Sequence, residues 1–114
     1  MEKWQKLASE LNITEEKLIS KLETFLVYAQ VQLANLEDVI EQKEYKKMAK
    51  FAHNISVKAA NLNLDEIYVH TEHIEILAFF KRDTDYMLLF GELQEALHAL
   101  HEEFVSSREL LPAR

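Results

Sequence analysis

An all-α fold is expected for this chain: an antiparallel, up-and-down four-helix bundle with a short extra N-terminal helix, in one domain over residues 1–114. Three features of the sequence point there. Apolar residues, 48% of the 114, recur at gaps of three and four along most of the chain. There is one glycine and one proline, where average usage would place about eight and six, so the turns that sheets and glycine-rich phosphate loops require are missing. There is no cysteine, which excludes disulfide scaffolds, cysteine nucleophiles and Cys-ligated metal sites. A chain this long buries roughly two thirds of its unfolded surface and needs no such staple.

The elements follow in order. A short first helix is expected over about Glu2 to Leu11, with Trp4, Leu7 and Leu11 on one side. Thr14 is a candidate cap for the second, and Glu15 and Glu16 suit its first turn, where the helix dipole favours negative charge. Leu18, Leu22, Phe25, Ala29, Leu33, Leu36 and Ile40 then form one stripe along a helix of about 25 residues. A soft break near Gln42-Lys43 precedes a third helix, with Tyr45, Met48, Ala52, Ile55, Ala59 and Leu62 inward. Asn61 and Asn63 are suited to end it in the left-handed region, and Asn63 with Glu66 has capping-box spacing for the next. That fourth helix carries Ile67, Thr71, Ile74, Leu77 and Ala78. Asp83 or Thr84 caps the last, which carries Tyr86, Leu89, Leu93, Leu97, Leu100 and Phe104. The only candidate linker is the tail from Ser106-Ser107-Arg108 to Leu111-Pro112-Ala113-Arg114.

Twenty acidic and thirteen basic side chains give a net charge of −7, which argues against nucleic acid as a partner. Met1-Glu2-Lys3-Trp4-Gln5 lacks the apolar core of a signal peptide, and no apolar run is long enough to span a membrane. A soluble, cytoplasmic monomer is expected, and Met1 favours a free-standing chain over an excised domain.

The charge is unevenly spread. Five lysines (43, 46, 47, 50 and 58) against Glu44 give the third helix a local balance of +4, leaving −11 for the rest. At 100° per residue, Lys46, Ala49, Lys50, His53, Ser56, Val57 and Ala60 share a face opposite the core stripe, so His53 is expected to be exposed among ammonium groups and small residues. Lysines on such a face are commonly no more than a solvated surface.

The stretch Ala52-His53-Asn54-Ile55-Ser56-Val57-Lys58-Ala59-Ala60-Asn61-Leu62-Asn63-Leu64 resembles the signature of histidine-phosphotransfer (HPt) domains. Tyr45, Met48 and Lys50 match the aromatic, apolar and basic positions before the family's histidine; Ile67, Ile74 and Asp83-Thr84-Asp85 match later ones. The resemblance covers about Leu11 to Val105. It implies that His53 is a phosphoacceptor, with Lys46, Ala49, Lys50, Ser56, Val57 and Ala60 facing the phosphoryl group or the partner. The implied partners are the receiver domain of a response regulator or a hybrid sensor kinase. The implied chemistry is carriage rather than enzymatic turnover, with no cofactor of the chain's own and Mg²⁺ on the partner receiver.

Three positions depart from the family pattern. Ser56 stands where a lysine is usual, Val57 where a glycine lets the partner approach, and Asn63 where a glycine ends the helix. Ser56 offers a hydrogen bond without charge, and Lys50, one turn before His53, is the best-placed substitute. Lys58, about 140° around the helix, is a poor one. These departures leave open an adaptor that docks a receiver or kinase without being phosphorylated.

A metal-binding bundle is the third reading. His70 with His73, and His98 with His101, have the i, i+3 spacing of paired ligands, and Glu72, Glu75 and Glu102 are near in sequence. Against it, the stripe of the first long helix has no inward carboxylate, and His70 falls where a hydrogen-bonded, partly buried histidine is expected. Phe51, Phe79 and Phe80 cannot all point inward, which leaves material for an apolar patch near His53.

Overall fold

A computed structural model describes residues 2–109. It contains five helices: α1 (Glu2–Glu10), α2 (Glu15–Glu41), α3 (Tyr45–Asn61), α4 (Asp65–Phe79) and α5 (Tyr86–Glu109), with no strand among the described residues. The helices follow one another as packing neighbours. α2 lies against α3, α3 against α4 and α4 against α5; α5 returns to α2, and α1 covers part of α2. The extents of 48 × 23 × 17 Å match a bundle whose longest member, at 27 residues, reaches about 40 Å at 1.5 Å per residue.

The 3-4 stripes are the core. All seven stripe residues of α2 are buried, joined by Leu26 and Val39. Met48, Ala52, Ile55 and Ala59 of α3 meet Ile67, Thr71, Ile74 and Ala78 of α4, all buried. Thr71 is the polar member, and its hydroxyl bonds the carbonyls of Ile67 and Tyr68, both at 3.0 Å. Trp4, Leu7 and Ala8 bury the inner face of α1.

The four interhelical turns share one solution. Asn12, Lys43, Asn63 and Lys81 adopt φ of 57°, 57°, 52° and 52°. At each, that residue's N–H and the next one's fold back onto the preceding helix. Asn63 bonds Ala60 (3.1 Å) and Leu64 bonds Ala59 (2.9 Å); Lys43 bonds Ile40 (3.1 Å) and Glu44 bonds Val39 (3.0 Å). This is the Schellman termination, which satisfies the orphan carbonyls of the last turn, and it is built here without glycine.

Several sequence expectations need correction. Helix α1 stops at Glu10, and Leu11 belongs to the turn. Thr14 caps α2 as expected, accepting from the Lys17 N–H at 3.1 Å. The Asn63–Glu66 capping box does not form: Asn63 is used in the left-handed conformation, and Leu64 occupies the N-cap of α4 with no side-chain bond. Asp85, rather than Asp83 or Thr84, holds the start of α5, accepting from the Leu88 N–H at 3.1 Å. Ser106-Ser107-Arg108 belong to α5 rather than a linker, and the rest of that tail, from 110, lies outside the described residues.

The one glycine is placed where its freedom is not used. Gly91 is within α5, and an added Cβ would meet nothing within 4 Å. Gly91→Ala is expected to raise stability by about 0.5–1 kcal/mol, measured by urea denaturation.

Candidate functional site

Helix α3 presents His53 to solvent, its side chain 57% exposed, because the buried Ala52, Ile55 and Ala59 turn the opposite face to the core. The imidazole is not free. Its Nδ1 lies 2.8 Å from Oε2 of Glu75, which reaches across from α4. A carboxylate only accepts, so Nδ1 carries the hydrogen and the lone pair of the neutral ring is on Nε2. The other oxygen of Glu75 accepts from the Ser56 hydroxyl at 3.2 Å, and that hydroxyl is also 3.0 Å from the His53 carbonyl.

Beside His53 an open groove of about 900 Å³ runs between α3 and the end of α4. Lys46, Lys47, Lys50 and Lys81 line it with Ala49, Ala78, Glu75 and Phe79. The two alanine methyls leave space that larger side chains would fill. Four ammonium groups in one groove, on a chain of net charge −7, give a local attraction for anionic groups that steers association.

The seven residues expected on one face are therefore divided. Lys46, Ala49, Lys50 and His53 come together in the groove. Val57, 44% exposed, and Ala60 lie further along the exposed face. Ser56 is a correction: it is 4% exposed, turned toward α4 and engaged with Glu75. Lys58 is on the α2 side, its ammonium 4.8 Å from the centre of the Tyr28 ring.

Glu75, Ala78, Lys47 and Lys81 complete the site without having been singled out for it. A partial signal for Glu75 existed. Reflecting position 53 through the turn centred on Asn63 lands on position 73, two residues from 75, which brings Glu75 near the level of His53 but, being about 200° around the helix, does not fix the face that presents it. Glu72, the other carboxylate on that stretch, is engaged by the hydroxyl of Tyr68. That bond, and then the charge of Glu72, raises the Tyr68 phenol above its ordinary value.

Phe79 and Phe80 are the exposed aromatics, at 71% and 62%, and stack edge-on at 5.1 Å between ring centres. Phe51 is half-buried. His73, His98 and His101 are exposed, and His70 is half-buried with no hydrogen-bond partner among the described residues. No three of the described His, Asp and Glu side chains converge as a metal site requires. No described helix is long and apolar enough to cross a membrane.

Comparisons with family models, with curated proteins and with solved structures return no match.

The arrangement supports one chemistry directly. A largely exposed imidazole stands beside lysines, with its Nδ1 held by a carboxylate of the neighbouring helix. Ser56 and His53 do not form a serine-hydrolase pair, since the Ser56 hydroxyl is buried and has Glu75 and a backbone carbonyl, rather than the imidazole, as its acceptors.

Proposed function

We propose that this chain is a cytoplasmic phosphocarrier of the HPt type, a single antiparallel four-helix bundle with α1 as a cover, in which His53 accepts and donates a phosphoryl group. The observation that carries the reading is the exposed imidazole whose Nδ1–H is committed to Glu75. Its Nε2 lone pair attacks the phosphorus of an aspartyl phosphate on a receiver domain. The N–P bond forms as the P–O bond to the aspartate breaks, and the carboxylate leaves. No proton needs to move: the hydrogen stays on Nδ1, and Glu75 compensates the positive charge the ring acquires. Return transfer reverses these bonds.

The partner would bring its own Mg²⁺, and this chain would add Lys46 and Lys50 beside the transferring group. The resulting requirement is asymmetric. Lys50→Ala should slow transfer about fivefold or more, and Lys58→Ala less than twofold, because a cation acts within the first few ångströms of the phosphoryl oxygens. Equal effects would reassign the reactive face.

The deciding experiment is transfer of labelled phosphoryl from phosphorylated receiver domains to the wild type and to His53→Gln. Label on the wild type alone supports the carrier. Receiver or kinase binding without label on either would support the docking adaptor, the reading favoured by the bulk of Val57 beside His53.

A further inference from the structure

Ser56 has one hydroxyl hydrogen and two acceptors within reach, one in its own helix and one on the carboxylate of α4. Bonding back to the carbonyl three residues earlier is what a helical serine does with no task. The second contact is not of that kind. It ties the Glu75 oxygen that His53 does not use, so the carboxylate is gripped at both ends: Oε1 by Ser56 at 3.2 Å and Oε2 by Nδ1 at 2.8 Å. A glutamate side chain has three freely rotating bonds and, held at one oxygen only, samples many rotamers. Ser56 is 4% exposed, so water does not compete well for its hydroxyl.

We infer that Ser56 is a positioning residue: through Glu75 it fixes His53 in the Nδ1–H tautomer and keeps the Nε2 lone pair toward the lysine groove. The effect on phosphorylation rests on the phosphocarrier reading; the tautomer itself does not. A lysine at position 56 would supply charge to the transferring group. Serine at this position instead supplies order to the group behind the ring, and the charge is left to Lys46 and Lys50. Supporting partners of this kind set the tautomer and orientation of a functional histidine.

Tautomer populations are read from ¹⁵N shifts of the His53 ring at about pH 9, where an ordinary imidazole is neutral. The wild type is expected to be predominantly Nδ1–H. Ser56→Ala should raise the Nε2–H fraction at least threefold, and Ser56→Thr, which keeps the hydroxyl, should restore the wild-type balance. In a Glu75→Ala background, Ser56→Ala should add nothing, since the serine acts through that carboxylate. Circular dichroism melts confirm that each variant is folded.

Phosphorylation by phosphoramidate, which gives its phosphoryl group to imidazole nitrogen and releases ammonia, should slow about fivefold in Ser56→Ala, the loss expected for one hydrogen bond. An unchanged tautomer balance in Ser56→Ala, or an undiminished effect in the Glu75→Ala background, would overturn the inference. A shifted tautomer in a protein that no donor phosphorylates would uphold the positioning role and remove the phosphocarrier reading instead.

Discussion

If His53 carries a phosphoryl group as proposed, Glu75→Ala is expected to slow its phosphorylation by about 10- to 100-fold, the range for losing a hydrogen bond to a charged group. Three effects combine. The Nδ1–H loses its acceptor, the positive charge that develops on the ring loses its counter-charge, and the Ser56 hydroxyl keeps only the carbonyl of its own helix. Glu75→Gln retains an oxygen acceptor without the charge and should fall between wild type and Glu75→Ala, at about three- to fivefold. The two variants thus divide orientation from electrostatics. Initial rates with phosphoramidate and with a phosphorylated receiver check this, and a Glu75→Ala rate within twofold of wild type would show that His53 needs no support from α4.

Ile55→Ala is expected to be the most damaging single change near the site while touching none of its chemistry. Ile55 is 0% exposed and is two residues from His53, on the opposite side of α3. Truncation leaves a cavity and forfeits burial, costing ~3 kcal/mol, a large part of the 5–15 kcal/mol that holds an ordinary domain together. A thermal melt should fall by about 10–15 °C. A fall of only a few degrees would mean that α3 repacks against its neighbours rather than forming a fixed interface.

The core was legible because burial along a helix obeys a single period, and every stripe position from Leu18 to Ile40 is buried. Thr14 and Asn63 were legible for a different reason, since each has chemistry suited to its conformation. Asn63 also shows where local rules compete. An N-cap needs extended backbone, and the left-handed φ of 52° excludes it, so the residue that ends α3 is unable to cap α4. Lys43 and Lys81 carry no chemical mark of the left-handed conformation; the folded-back hydrogen bonds impose it.

The site was half legible for a geometric reason. A helical wheel divides residues into a core side and the opposite side, and Ser56 falls at the margin between them. Whether that margin is wet depends on where α4 lies, which no property of α3 determines. Glu75 required the register of two helices across a turn. The exposed histidine and its lysines needed only one.

The two halves of the site are carried by α3 and α4, consecutive helices joined by residues 62–64 and forming the most extensive helix–helix contact among the described residues. Bringing them together closes a very short loop, so little chain entropy opposes it. Contacts this local form early in folding. In a slow opening of the bundle, α1 and the far ends of α2 and α5 can separate from the rest while the α3–α4 hairpin stays closed. The histidine and its carboxylate would then be among the last groups to part, and hydrogen exchange should find their helices slower to exchange than the cover that shields the other end.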